Sequence, residues 1–351
     1  MIPRFYFACC QFGAEKAVKA EVLEKHPSLR FAFSRPGFIT FKEDGDSPPL
    51  ISERPGIFVR HWGVSVAQAK DRETLKSMLA ALPAGAIVHG FERDTFVPGD
   101  DPPGFVANSR IDAAWTEFAG SSAEAARRLK YNTPPRAGET VHDLIWLDDF
   151  HVFLGKHTHR TEIDPAPGNQ PKIELPAQAP SRAYLKLAEA IHRFRVPVKA
   201  DLRALEIGCS PGGATTLMLK AGMQVLGIDP KEMSPEIYDY THFHSIRKPA
   251  KAVSADELRD FNPDWIVMDM NLAPLEALDE LTHVVRVLRK NHGQRLAVRT
   301  GFITLKLNDW KFAQQIPLYL KRLREIGFQN LTALQLASNR QEFFVYARNF
   351  K

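Results

Sequence analysis

Apolar positions recur along this chain with two periods, and each change of period marks an element. Arg4 to Phe12 alternates and predicts a strand. Gly13 to His26 carries Ala17, Val18, Val22 and Leu23 at helical spacing, with lysines on the other face. Phe31 to Phe41 predicts one or two strands broken at Pro36-Gly37, and Pro55-Gly56 opens another over Ile57 to Val66. Asp71 to Leu82 places Leu75, Met78, Leu79 and Leu82 on one helical face, and Ala86 to Phe91 predicts a further strand. After the turn-rich stretch Gly99 to Gly104 come a short helix, Ser121 to Leu129, capped by Ser121 or Ser122, and a hairpin, Leu144 to Leu154, turning at Asp148-Asp149. This order predicts a small α+β module over residues 1–163, with a ferredoxin-like opening.

Residues 164–179 are rich in proline and polar groups and predict a linker. From Pro180 onward (residues 180–351) strands alternate with longer helices. Ser181 is a good N-cap for a helix running to about Phe194. Strands are predicted at Ala204 to Gly208, Gln224 to Asp229, more weakly Thr241 to Ile246, and Trp265 to Met268, which ends in Asp269. A helix over Leu275 to Lys290 turns Leu278, Leu281, Val285 and Leu288 inward. The fifth strand is either Leu296 to Arg299 or Phe302 to Leu307. A helix from Asp309 stops at Gly327, and Asn330 to Leu336 and Phe343 to Arg348 predict a final antiparallel pair. Such alternation predicts an α/β fold with a doubly wound, Rossmann-like sheet.

Composition narrows the class. At 351 residues, with 44% apolar and 25% charged residues, the chain reads as a globular protein of two or three domains. It has no run of about 18 apolar residues, and its N-terminus lacks the apolar core of a signal peptide, so no membrane association is expected. Three cysteines (Cys9, Cys10 and Cys209) build no disulfide framework, and a cytoplasmic protein with free thiols is expected. The pairs His157/His159 and His242/His244 lack a third ligand at fixed spacing, so no metal is expected. The net charge of +5 is uneven: residues 178–351 hold 25 Lys and Arg against 18 Asp and Glu, and residues 1–177 hold 21 against 23. A basic half points to nucleic acid as partner, and equally allows a basic enzyme.

The stretch Leu205-Glu206-Ile207-Gly208-Cys209-Ser210-Pro211-Gly212-Gly213 predicts a buried strand running into a glycine-rich turn and then a helix, Ala214 to Lys220. A dinucleotide site needs G-x-G-x-x-G, and here Ser210 stands in place of the second glycine; a P-loop needs Lys-Ser/Thr, and here Ala214-Thr215 follows. Asp229, ending the second strand, suits a ribose hydroxyl pair. An adenosyl ligand without pyrophosphate fits, S-adenosylmethionine being the commonest; a purely structural turn is the alternative. Four charged residues fall where a ligand would sit: Lys186 on the preceding helix, Asp269 ending the fourth strand, Lys306 inside the apolar run Phe302 to Leu307, and Glu342 opening the last strand. A lysine in such a run is costly to bury unless paired. Two lysines and two carboxylates could balance one another, and a lysine could take a proton from a weakly acidic hydroxyl. The plainer alternative makes Lys186, with Arg182, Glu189 and Arg193, a solvated helix face.

Taken together, Pro180-Ser181-Arg182-Ala183-Tyr184-Leu185-Lys186-Leu187, Gly208 to Gly213, Asp269-Met270, Lys306 and Glu342 resemble the FtsJ-type ribose 2′-O-methyltransferases. The closer likeness is to the branch that methylates a cytidine ribose of 23S rRNA and carries an N-terminal THUMP-containing RNA-binding region. Phe7 to Lys16, Ser34 to Phe38, Ile57 to Trp62 and Leu175 to Arg182 carry that part of the likeness. The resemblance implies a Lys-Asp-Lys-Glu tetrad of Lys186, Asp269, Lys306 and Glu342, with Lys306 the base. It implies S-adenosylmethionine held by Gly208, Cys209, Ser210, Pro211, Gly212 and Gly213, its ribose by Asp229, with Ser181 and Asp269 beside it. It implies RNA as substrate, and a monomer is expected. Two departures stand out: Asn271-Leu272 separates Asp269-Met270 from Ala273-Pro274, and the family's acid near the adenine has no clear counterpart, Asp256 being the substitute candidate.

Overall fold

The computed structural model describes residues 4–43, 54–97, 109–121, 123–161, 163 and 165–351. They divide into two compact units, Met1–Lys172 and Ile173–Lys351. The turn-rich stretch 99–104, Ser122 and, of the expected linker, Asp164 lie outside the described residues.

The first unit contains β1 (Arg4–Cys9), α1 (Glu15–Lys25), β2 (Leu29–Arg35), β3 (Phe38–Glu43), β4 (His61–Ala69), α2 (Arg72–Ala80), β5 (Ile87–Glu92), α3 (Ser109–Ser121), α4 (Ala123–Arg127), β6 (Lys130–Tyr131), β7 (Thr140–Asp148) and β8 (His151–Thr158). Its strands form one sheet in the order β2-β3-β1-β4-β8-β7-β5-β6. The β1-α1-β2-β3 start is the expected ferredoxin-like opening, but no second helix lies between β3 and β4 among the described residues. The strand expected from Ile57 begins at His61. The amides of Ile57 and Phe58 donate instead to the two oxygens of Glu21, each at 3.1 Å, which holds this stretch against α1. The short helix expected over Ser121 to Leu129 is present as α4, and a longer helix that the sequence pattern does not predict, α3, precedes it. Ile111 and Phe118, both buried, sit at helical spacing with Ala114 and Trp115 packed beside them, so burial of that stripe holds α3 in place. The hairpin expected over Leu144 to Leu154 forms with longer strands, and its turn falls one residue later, at Asp149-Phe150, with Asp148 opposite His151.

The second unit contains α5 (Ala183–Phe194), β9 (Arg203–Ile207), α6 (Gly213–Lys220), β10 (Gln224–Ile228), β11 (Phe243–Ile246), β12 (Trp265–Asp269), α7 (Pro274–His292), β13 (Thr300–Lys306), α8 (Ile316–Ile326), β14 (Phe328–Leu334) and β15 (Glu342–Phe350). The sheet order is β11-β10-β9-β12-β13-β15-β14. Strands β9 to β13 pair in parallel, and β15 inserts antiparallel between β13 and β14. This is the Rossmann-like sheet of methyltransferases, and the order reverses at β9 and β12, where open α/β sheets bind ligands. Of the two candidates for the fifth strand, the run ending in Lys306 forms it; residues 296–299 lead into it, with Arg299 N donating to Asp264 O at 2.8 Å. Among the described residues no helix is long and apolar enough to cross a membrane.

Helix α5 corrects one expectation. Arg182, not Ser181, holds its N-cap position, and no side chain caps it. Ser181 is used otherwise: its carbonyl accepts from Tyr184 N at 3.3 Å, and its hydroxyl packs against Gly213.

Candidate active site

The glycine turn follows β9 directly. Gly208 N donates to Ile228 O at 2.9 Å, so the turn stays tied to β10 as the strand ends. Gly212 has φ +118°, a conformation that a side chain would strain, and α6 starts immediately after it. Gly213 is needed for a different reason: a Cβ there would collide with the Ser181 hydroxyl and carbonyl and the Tyr184 amide. Absence of that carbon lets the start of α5 approach the turn, and so brings Lys186 toward the strand ends.

Polar side chains fix the rest of the turn. Asp229 accepts from Ser210 N at 3.1 Å and from Lys231 N at 2.8 Å, one on each carboxylate oxygen. Each oxygen keeps a lone pair for a further donor. Ser210 turns its hydroxyl to Glu232 O at 2.7 Å, so the side chain braces the loop while the backbone remains as the ligand surface. Cys209 contributes backbone alone. Its thiol is buried, packs against Gly227 on β10, and burial pushes its pKa well up. A half-exposed carboxylate at the end of β10, beside a turn whose backbone follows β9, fits the ribose of an adenosyl donor.

The four charged residues meet beside this turn. Lys186 Nζ lies 2.8 Å from Asp269 Oδ2 and 2.7 Å from Glu342 Oε1. Lys306 Nζ lies 3.0 Å from Asp269 Oδ1 and pairs also with Glu342 Oε2. Cations and anions therefore alternate around a closed ring. Strand register explains half of it, since Lys306 and Glu342 are directly opposed across β13 and β15. The other half follows from Asp269 at the end of β12, beside Gly208, whose missing Cβ would lie 2.6 Å from Asp269 O. The lysines remain partly accessible, with side chains 13% and 21% exposed, while Glu342 is buried at 4%. Burial opposes the charge of Lys306, but Asp269 and Glu342 outweigh it and raise its pKa. Burial likewise favours a neutral Glu342, and the two lysines override it, holding the carboxylate ionised.

Two further residues hold the ring in place. Asn339, fully buried, donates from Nδ2 to Glu342 Oε1 at 2.9 Å and accepts from Leu336 N at 2.9 Å. Glu189, one turn beyond Lys186 on α5, is not a solvated residue. It is buried, pairs with Arg193 at 3.0 Å, and accepts from the amides of Ala337 and Ser338 at 2.8 and 3.0 Å. Helix α5 thus supplies Lys186 and also clamps the loop that leads to Glu342. Along the chain, only the spacing of Lys186 and Glu189 hints at this clamp. Glu206 lies beneath the turn, fully buried, accepting from Thr215 Oγ1 at 2.6 Å. Burial raises its pKa to about 8, with Asp269 and Asp229 adding to the rise.

Other candidates fall elsewhere. Asp256 opens a 3₁₀ turn and pairs with Arg259 at the surface. His242 Nε2 lies 3.2 Å from Leu219 O, and His244 is exposed on β11.

The FtsJ-like methyltransferase family matches residues 179–346. Over nearly the full chain, relatives carry the name ribosomal RNA large subunit methyltransferase M. That of Tolumonas auensis is 26% identical, covering 96% of this chain and 94% of its own. That of Dickeya chrysanthemi is 29% identical, covering 97% and 94%. That of Cellvibrio japonicus is 25% identical, covering 98% and 99%. With the Rossmann-like sheet and its glycine turn, these matches identify the chain as an enzyme that carries, at residues 179–346, a domain of the FtsJ-like methyltransferase family.

Proposed function

We propose that this protein transfers a methyl group from S-adenosylmethionine to a ribose 2′-hydroxyl of RNA, the substrate being a cytidine of 23S rRNA. The observation that carries the proposal is the closed ring of Lys186, Asp269, Lys306 and Glu342 beside the glycine turn. When bound, the donor supplies a methyl group on a positively charged sulfonium. The chain's own residues must then hold a hydroxyl in line and accept its proton. Gly208, Cys209, Pro211, Gly212 and Gly213 offer backbone to the donor, Asp229 its carboxylate to the ribose, and Ser181 and Ser210 brace the turn.

Lys306 Nζ is the atom assigned to receive the 2′-hydroxyl proton. With both carboxylates beside it, the amine of the free enzyme is protonated, so it must first release a proton to solvent. Lys186 is essential to that release. It touches the same two carboxylates, so when Lys306 becomes neutral a counter-charge remains and neither Asp269 nor Glu342 is stranded. Added positive charge near the ring shifts Lys306 in the same direction. The deprotonated amine then stays directed by Asp269 and Glu342 toward the strand ends.

The first unit is assigned the role of a THUMP-like RNA-binding region, on the strength of its βαββ opening and the full-length similarity to rRNA methyltransferases. All four ring residues come from one chain, which suits a monomer working in the cytoplasm, where its RNA is made. Incubation with labelled donor and unmodified 23S rRNA, followed by nuclease digestion, tests the reading. Label recovered on the ribose of a cytidine is expected; label on a base, or on protein alone, refutes it.

A further inference from the structure

Methyl transfer makes no use of a cluster inside the first unit. His61 starts β4, Asp143 lies in β7 and His157 in β8, and these strands are neighbours in the order β4-β8-β7. His61 Nε2 is 3.0 Å from Asp143 Oδ1, and His157 Nδ1 is 2.7 Å from Asp143 Oδ2. One donor atom from each residue lies within 4.8 Å of the other two. The side chains of His61, Asp143 and His157 are 3%, 0% and 7% exposed. The two imidazole rings stand edge to face at 88°, centroids 4.6 Å apart, so they reach the carboxylate from different directions.

Hydrogen bonding explains only half of this arrangement. His157 Nδ1 and Asp143 Oδ2 are hydrogen-bonded. His61 Nε2 and Asp143 Oδ1 face each other at 3.0 Å, an ion-pair contact poorly aligned for an N–H···O bond. Two imidazole nitrogens and a carboxylate converging from three adjacent strands are what ligands of one cation present. Phe7 and Phe91 pack on the His61 ring, at 5.6 and 5.4 Å between centroids, and keep that side apolar.

We propose that His61, Asp143 and His157 form a binding site for a divalent transition-metal ion of the class that zinc represents. Two imidazole nitrogens and one carboxylate oxygen are a donor set for such ions, whereas calcium and magnesium favour oxygen alone. Three protein ligands from three adjacent strands leave one coordination position open and pin β4, β8 and β7 together. The proposal stands apart from the methyl-transfer reading and survives its failure.

The test uses the full chain with any affinity tag removed, stripped by a chelator, and zinc chloride alone as the probe. Elemental analysis after dialysis is expected to find about one zinc ion per chain. Thermal unfolding is expected to shift upward by about 3 °C or more when zinc saturates the site. His61→Gln and His157→Gln are expected to bind zinc at least about tenfold more weakly and to lose the shift, with unchanged circular dichroism. A His242→Gln, His244→Gln double variant is expected to keep both. Wild-type protein that retains no zinc, or ligand variants that bind it as well as wild type, overturn the proposal. Should the ligand variants fail to fold, the cobalt(II) spectrum of the wild type decides. An intense visible band from a four-coordinate site supports the proposal, and only the weak band of six-coordinate cobalt overturns it.

Discussion

Each unit buries a group of charged side chains, and the two groups reach neutrality differently. In the second unit two ammonium groups face two carboxylates, and all four contacts of the ring are ion pairs. Balance is complete in protein atoms alone, at the open ends of the strands. In the first unit one carboxylate faces two imidazoles. Burial opposes charge on both rings: it leaves His61 below its ordinary pKa, while Asp143 lifts His157 above it. One nitrogen–oxygen approach there is poorly aligned for a hydrogen bond, among strands covered by aromatic rings. A ring at accessible strand ends can exchange the Lys306 proton while Lys186 still faces both carboxylates. Two imidazoles and a carboxylate converging in a closed interior suit a resident cation.

Breaking the ring is expected to give the largest effect. Lys306→Ala should lower the transfer rate about 10³-fold or more, in the upper range for loss of a positioned base. Donor affinity, followed by calorimetry, should stay within about threefold, because no contact of the glycine turn runs through Lys306. Removing a buried member of the ring should act on stability instead. Glu342→Ala leaves two ammonium groups against one carboxylate and is expected to cost about 3–5 kcal/mol in urea unfolding. A loss below about 1 kcal/mol would mean that the ring is far more solvated than its burial implies.

Glu206 sharpens the comparison, since it is a buried carboxyl with no cation at all. Its pKa rises from an ordinary 4.5 to about 8 in the fold. Between those values the native state binds more protons than the unfolded chain, so this group makes stability fall as pH rises through that window. The loss should level off above pH 8 at roughly 5 kcal/mol. Glu206→Gln, uncharged throughout, should flatten this part of the profile when urea midpoints are compared from about pH 5 to 9. A smaller effect is expected from Glu189→Gln, which loosens the clamp on the loop before Glu342. Transfer should slow about tenfold with donor affinity unchanged, and Glu189→Asp should restore part of the rate.

Much of the second unit was legible because its chemistry follows chain order. The glycine turn, Asp229 and Asp269 each stand where a strand pattern ends. Lys306 attracted notice because a lysine inside Phe302 to Leu307 has to be paired, and the register with Glu342 supplies the pair. What stayed hidden depends on tertiary distance. Glu189 reads as one more charge on a helix face until the loop at Ala337 and Ser338 is laid against it. Ser181 has the sequence of an N-cap, but close packing on Gly213 takes its side chain elsewhere. The ring of His61, Asp143 and His157 could not be found by spacing, because the residues come from three strands brought together by pairing. A search along the chain sees only His157 beside His159. Helix α3 escapes the pattern because Ile111, Ala114, Trp115 and Phe118 make a short stripe next to the turn-rich stretch 99–104, while α4 stands where a short helix is predicted.

The most direct measurement maps ribose methylation nucleotide by nucleotide in 23S rRNA from cells that carry the wild-type chain, the Lys306→Ala chain, or neither. One cytidine 2′-O-methyl group present with wild type, and lost both with Lys306→Ala and in the absence of the protein, is the predicted result. Full methylation at that site in the Lys306→Ala cells, or a map that does not change when the protein is absent, would contradict the assignment of the ring.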